Sequence, residues 1–145
     1  MIEVLDSLKY LEKIELKTAV VLLRSDGIIC IRVRDDAEVE LEDSLETFEA
    51  VKMLGKGVKM PVLVLTGEGG AVSEESKRFS ASKQAGEPTL AEAIVVRNFA
   101  HKLIVNFLIK FYRPGRPMRM FTNKEEAVEW LRSYQDKYGD IALLV

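Results

Sequence analysis

The chain has 145 residues and a mass of 16.4 kDa, which suits one domain. Its 21 basic and 23 acidic residues give a net charge of −2, and this balance argues against a nucleic-acid-binding protein. A single histidine and a single cysteine exclude an intrachain disulfide, a zinc cluster and a redox pair of cysteines. We therefore expect one globular domain over residues 1–145, with its core at about 15–135, and no cofactor or metal.

The first third of the chain predicts a β-hairpin. Residues 1–13 are ambiguous, and their apolar spacing favours a short leading helix. Runs rich in β-branched residues follow at 18–24 and 28–33, separated by a turn that contains Asp26 and Gly27. Since Asp-Gly tolerates the backbone angles of tight turns, the two runs predict a hairpin.

A helix and a buried strand come next. Apolar residues recur at three-residue steps over 42–54, and Gly55 and Gly57 follow as stop signals. Pro61 then opens the apolar run 62–65, which has the length of a strand. A continuous apolar run bounded in this way predicts a buried central strand.

The second half alternates helices with strands. The pattern predicts helices at 73–86, 99–112 and 124–137, and strands at 90–96 and 118–121. Ser73 is the expected N-cap of the first of these helices. The order β-β-α-β-α-β-α-β-α predicts an α/β domain with a mixed β-sheet, opened by a hairpin and continued by helical crossovers.

Charge is distributed in two blocks. Asp35–Glu49 holds eight acids and no base, whereas Arg97–Arg119 holds six bases and no acid. The blocks are interpreted either as two solvated faces of one fold or as a charged docking surface. The first residues are acidic where a signal peptide has bases, and the lone Cys30 lies in an apolar run, so we expect a cytoplasmic protein with a buried thiol.

The predicted helix 99–112 is apolar nearly all round. Such a helix is either deeply buried or has a second face against a partner. The interpretations are an interface between subunits, most simply a homodimer, ordinary core, or contact with a lipid or membrane surface. The candidate residues for this face are Phe99, Leu103, Phe107, Phe111 and Tyr112.

A glycine-rich loop at 67–70 lies between a predicted strand and a predicted helix, where phosphate cradles occur. Its sequence matches neither the glycine pattern of dinucleotide-binding loops nor that of a P-loop, and Glu68, Glu74 and Glu75 would repel a phosphate. The loop is therefore interpreted as a mobile loop or a protein contact.

The element order, with a buried strand, a loop and a Ser-capped helix, resembles the SpoIIAA-like or STAS family of anti-sigma-factor antagonists and relatives. The segments that resemble a divergent bacterial branch of this family are VVLLRSDGI at 20–28, KMPVLV at 59–64 and RMFTNKEEAVEWL at 119–131. The resemblance covers roughly residues 15–135.

The resemblance implies a non-enzymatic regulatory domain that binds a partner protein. In classical members a serine at the helix start is phosphorylated by a partner kinase. Ser73 or Glu74 would occupy that position here, although the classical Asp-Ser-Ser-Gly is absent, and Thr66, Gly67, Gly69, Gly70 and Ser76 complete the candidate partner-contact or phospho-switch surface. The alternative function is a carrier for a lipid or small apolar ligand, which would use helix 99–112 or a pocket beneath it.

Overall fold

A computed structural model describes the backbone of residues 10–144 and the side chains of residues 10–135. In chain order the elements are β1 (Tyr10–Glu15), β2 (Ala19–Arg24), β3 (Ile29–Val33), β4 (Glu38–Val39), α1 (Leu41–Gly55), β5 (Met60–Leu65), β6 (Ala71–Val72), α2 (Glu74–Ser80), β7 (Thr89–Val95), α3 (Phe99–Phe107) with a π-helical turn at Leu108–Tyr112, β8 (Met118–Phe121) and α4 (Lys124–Leu144).

Six strands form one mixed sheet in the order β1-β2-β3-β5-β7-β8. β2 is antiparallel to both of its neighbours, β1 and β3, whereas β3, β5, β7 and β8 are parallel to one another. The parallel strands are joined by helices, because parallel neighbours need a crossover connection. The predicted α/β class, with an opening hairpin and helical crossovers, is confirmed.

The turn between β2 and β3 forms where the Asp-Gly pair predicted it. The Arg24 N–H donates to the Ile28 carbonyl at 2.9 Å, and the Gly27 N–H donates to the Arg24 carbonyl at 3.0 Å. Gly27 has a φ of +83°, a value that side chains with a Cβ disfavour. The three-residue loop therefore depends on Gly27, which supplies the positive φ that the turn requires.

Helices cover both faces of the sheet. On one face, α4 packs Leu131 and Ala127 against strand residues that include Leu63 and Cys30. Burial raises the pKa of the Cys30 thiol, which therefore stays protonated at neutral pH and is a poor nucleophile. On the other face lie α1, through Val51 and its neighbours, and α3.

The start of the described chain corrects one prediction. Residues 10–13 belong to β1, which pairs with β2, and not to a helix, while the rest of the predicted leading helix lies outside the described residues. Leu11 is exposed, as are Glu12 and Lys13. A charged, outward-facing sequence suits an edge strand because it discourages pairing with other chains.

Three helix details also differ from the predictions. In α1, Gly55 is still helical, and Lys56 takes the left-handed cap with a φ of +51°. The helix predicted to reach residue 86 ends at Ser80, because the Ser82 hydroxyl donates to the Phe79 carbonyl at 2.6 Å and accepts from the Ala85 N–H at 3.2 Å. These side-chain bonds replace helical backbone bonds. The helix predicted at 99–112 is regular only to residue 107 and then becomes a π-helical turn.

Candidate functional site

The glycine loop, residues 67–70, lies against the segment 34–37 after β3. The Asp36 N–H donates to the Glu68 carbonyl at 2.7 Å, and the Glu68 N–H donates to the Asp35 carboxylate at 2.8 Å. A Cβ on Gly67 would lie 2.5 Å from the Arg34 carbonyl oxygen. The glycine permits this close approach of two backbones. The Glu68 amide is thus already bonded within the protein, which does not suit a phosphate cradle.

The start of α2 follows the short strand β6, which pairs with β4. The Ser73 hydroxyl accepts a hydrogen bond from the Ser76 N–H at 3.1 Å, so Ser73 is the N-cap, as predicted. Glu74 is exposed and pairs with Lys77 at 3.1 Å. Ser76 is fully buried, and its hydroxyl shares a short hydrogen bond with the Ser44 hydroxyl of α1.

Thr66, a predicted partner-contact residue, uses its hydroxyl for a hydrogen bond within the protein. Its hydroxyl donates to the Val95 carbonyl at 2.9 Å, which ties the end of β5 to β7. The predicted partner-contact residues therefore divide into two groups. Ser73, Glu74 and the glycine loop lie together at one end of the sheet, whereas the Thr66 and Ser76 hydroxyls are engaged inside the protein. Their role stays a prediction.

A partly enclosed cavity of about 260 Å³ lies beneath α3. We call it the α3 cavity. The sheet forms its floor, the first turns of α1 and α2 form one side, β4, β6 and the glycine loop form its end, and α3 covers it. Most of its walls are apolar, and they include Ile31, Val39, Val64, Val72, Ile94, Ile104, Val105 and Leu108.

The residues that line the cavity include a histidine with an unpartnered polar atom. The His101 side chain lines the cavity, and its Nδ1 is buried without a hydrogen bond, the only such side-chain atom within residues 10–135. Buried polar nitrogens are nearly always hydrogen-bonded, and the imidazole Nδ1 can donate or accept according to tautomer. His101 is therefore a cavity residue with hydrogen-bonding capacity that the protein leaves unused.

Several other polar groups of the cavity are engaged within the protein. Ser44 and Ser76 bond to each other, and the Thr47 hydroxyl donates to the Asp43 carbonyl at 3.0 Å. The Glu92 carboxylate, on β7, is held by Arg116, with the Arg116 Nη2 3.0 Å from the Glu92 Oε1. These groups shape the wall of the cavity.

Arg116 is a structural residue that the sequence did not reveal. Besides Glu92, its guanidinium donates to the Ser80 carbonyl at 2.6 Å and to the Ser82 carbonyl at 3.2 Å. It thereby joins the end of α2 to β7, and its side chain is almost fully buried. In the sequence Arg116 stands in a Pro-Gly-Arg-Pro breaker and counts as one of six bases, so only the packing distinguishes it.

The outward face of α3 carries a row of large apolar side chains at four-residue spacing, which we call the outer strip. Its members Phe99, Leu103, Phe107 and Phe111 are 72%, 55%, 46% and 71% exposed. The rings of Phe107 and Phe111 stack with centroids 4.8 Å apart, and Tyr112 stands edge-on to Phe107 at 5.7 Å. One face of this helix therefore lines the cavity and the other meets solvent, while the predicted interface or lipid contact of these residues stays a prediction.

A second cleft lies across the ends of β3, β5 and β7, on the far side of Thr66. Arg97 stands at its edge and pairs with Glu68 at 3.1 Å and with Asp35 at 4.0 Å. The acidic and basic blocks thus meet here within one chain. Because Arg97 is already paired with two carboxylates, this cleft is a weaker candidate than the α3 cavity.

The model of a family described as a domain of unknown function, DUF7793, matches residues 21–135. The chain belongs to the DUF7793 family. A crystal structure of an uncharacterised protein of the DUF3478 family from Shewanella loihica PV-4, with a SpoIIAA-like fold, is similar with a TM-score of 0.56 and 11% identity, covering 86% of this chain and 93% of that one. No curated protein matches.

The structural likeness confirms the SpoIIAA-like fold that the sequence resemblance implied. Because the two sequences are only 11% identical, this likeness is evidence for the fold of the DUF7793 domain alone. Within residues 10–144, none of the helices is long and apolar enough to cross a membrane. The described side chains also contain no cluster of three or more His, Cys, Asp or Glu residues placed to hold a metal ion.

Proposed function

We propose that this DUF7793 domain is a non-enzymatic binding domain that holds a small apolar molecule in the α3 cavity. The observation that carries the proposal is the unfilled apolar space of about 260 Å³ between α3 and the sheet. The space is partly enclosed, mainly apolar and bordered by a few polar groups, which are the general features of small-molecule sites. The volume lies just below the usual range of ligand pockets, which starts at about 300 Å³.

Exposure along β5 supports this interpretation. Val62 and Leu63 are buried, as the apolar run predicted, but Val64 and Leu65 are only half-buried. Val64 lies on the floor of the α3 cavity, where no side chain of the described protein covers it fully. An apolar ligand would complete the burial of a strand that is otherwise central.

The chemistry of the cavity suggests an apolar body with one polar group. The walls are mainly aliphatic, and His101, which lines the cavity and has an unpartnered Nδ1, is the candidate for a single hydrogen bond to the ligand. Glu92 is neutralised by Arg116, and the two serine hydroxyls are bonded to each other. Such engaged groups favour holding a ligand over transforming it.

We expect lauric acid, titrated calorimetrically, to bind the purified domain, and Val64→Phe to weaken binding at least tenfold, because the larger side chain enters the cavity. Val58→Phe, the same change at an exposed site, is the control and should bind as the wild type does. His101→Ala should weaken lauric acid more than it weakens dodecane. Equal affinity of the wild type and a folded Val64→Phe, or no binding by the wild type, would contradict the proposal.

A second candidate function is the regulatory one that the resemblance implies, in which the domain presents the glycine loop and Ser73 to a partner protein. The observation in its favour is the position of the loop. Gly69, Gly70 and Val72 are exposed at the surface, and they also border the α3 cavity. A protein bound there would therefore contact the wall of the ligand site.

Ser73 provides the test of this second candidate. Ser73→Ala should lower the free energy of unfolding by about 0.5–2 kcal/mol, measured with urea, because the cap bond is lost.

Ser73→Asp keeps an acceptor at the cap, so it should fold normally, but it adds a charge to the loop. If the function is regulatory, Ser73→Asp changes which proteins the domain captures, whereas Ser25→Asp, in the exposed β2–β3 turn, does not. Identical capture by Ser73→Asp and the wild type would reduce Ser73 to a helix cap.

A further inference from the structure

We propose that the outer strip of α3 docks the domain on the surface of an anionic lipid bilayer. The proposal goes beyond ligand binding, since it rests on the solvent-facing side of α3 and not on the cavity beneath it. It assigns a kind of partner to the row of exposed apolar side chains on α3.

The strip has the form of an interfacial helix. Phe99, Leu103, Phe107 and Phe111 project from one side of α3 and its π-helical turn, and each is at least 46% exposed. Side chains of this size are scattered singly on most monomer surfaces, whereas a contiguous row marks an interaction site. A row of phenylalanines on a short helix suits burial at the boundary between headgroups and acyl chains.

The positive charge beside the outer strip favours an anionic lipid surface as its partner. Lys102, Lys110 and Arg113 are exposed, no ion pair involves them among the described residues, and the segment Arg97–Arg119 contains no acid. A second copy placed on this strip by two-fold symmetry would bring these bases close to their own equivalents, which is unfavourable. Anionic headgroups would instead neutralise them, and each base near such a surface strengthens binding.

Arg116 and Arg97 do not add to this attraction. Arg116 is buried against Glu92, and Arg97 is paired with Glu68. Three bases and four apolar side chains therefore define the docking surface. The described helices are unable to span a bilayer, so the contact is a surface one.

The test is co-sedimentation of the purified domain with vesicles of equimolar phosphatidylcholine and phosphatidylglycerol. We expect binding that weakens about tenfold or more on phosphatidylcholine alone and that falls with added salt. The double variant Phe99→Ser with Phe111→Ser should bind at least about tenfold more weakly, since two apolar side chains no longer enter the interface. The control, Met53→Ser with Val58→Ser, removes two exposed apolar side chains elsewhere and should bind as the wild type does.

Two results would overturn the proposal. One is failure of the wild type to bind the anionic vesicles, including the case in which sedimentation velocity shows a dimer that the phenylalanine variant dissociates. The other is equal vesicle binding by the phenylalanine variant and the wild type. The result is separable from ligand binding, because the phenylalanine variant should keep its affinity for lauric acid and Val64→Phe should keep its affinity for vesicles.

Discussion

Leu63→Ala is expected to lower the free energy of unfolding by about 2–5 kcal/mol, because a large cavity would open in a core that cannot collapse around it. Leu63 is 0% exposed and lies on β5, between β3 and β7 and beneath α4. Leu65→Ala should cost less, since Leu65 is only half-buried. Urea unfolding at equilibrium measures both changes.

Leu45→Ala is the matched control for this prediction. Leu45 is a leucine of α1 that the sequence pattern placed on the buried face, yet it is exposed. Its replacement should change stability by less than about 0.5 kcal/mol. A loss below about 1 kcal/mol for Leu63→Ala would contradict the central position of β5.

The second large effect is expected at the turn between β2 and β3. The Arg24 side chain is 3% exposed, and its guanidinium donates to the Asp26 carboxylate at 3.1 and 2.9 Å, while Asp26 is 15% exposed and also accepts from Arg132 at 3.1 Å. Asp26→Ala would leave Arg24 buried without this carboxylate. We expect a loss of about 3–5 kcal/mol in the free energy of unfolding.

The same carboxylate predicts a dependence on pH. Burial by itself would raise the pKa of Asp26, but the hydrogen bonds and charges of Arg24 and Arg132 outweigh it, so the pKa of Asp26 is lowered in the folded protein. Its stabilising contribution is therefore complete above the pKa of the unfolded chain, about 4, and is lost as the pH falls through the lower folded value.

Asp26→Asn isolates this contribution, because it keeps the shape and removes the charge. At neutral pH the wild type should be the more stable of the two proteins, and the difference should shrink below about pH 4. A difference between the two free energies of unfolding that stays constant from neutral to strongly acidic pH would show that Asp26 carries no such linkage.

Local pattern was sufficient for much of the fold. The hairpin follows from two β-branched runs and an Asp-Gly turn, and β5 follows from an apolar run after a proline. The last helix follows from the apolar spacing over 124–137, and it begins after Asn123, whose side chain accepts the Glu126 N–H at 3.0 Å. These features depend on neighbours in sequence, which is why they were predictable.

Features that depend on distant contacts were missed. The strand β1 alternates weakly because it is an edge strand with charged residues, and β4 and β6 have two residues each. The α3 cavity is lined by residues from several separate segments, so no single stretch of sequence carries it. The buried role of Arg116 likewise exists only once α2 and β7 are brought together.

The resemblance indicated Ser73 and the glycine loop as candidate functional residues, and the structure shows that the glycine loop also borders the α3 cavity. Gly69 and Gly70 belong both to the predicted partner surface and to the wall of the α3 cavity. The helix predicted at 99–112 is apolar nearly all round, which left burial and a second face as alternatives, and in the structure its inner face covers the α3 cavity. The unpartnered His101 Nδ1 had no signal in the sequence.

The most direct test of ligand binding is a map of backbone amide chemical shifts by NMR during titration with lauric acid. The account predicts saturable shifts that cluster at the residues around the α3 cavity, namely Val64, Gly70, Ile94 and Val105, and that disappear in Val64→Phe. Shifts confined to Phe99, Phe107 and Phe111 on the outer strip, or no saturable shifts at all, would contradict it.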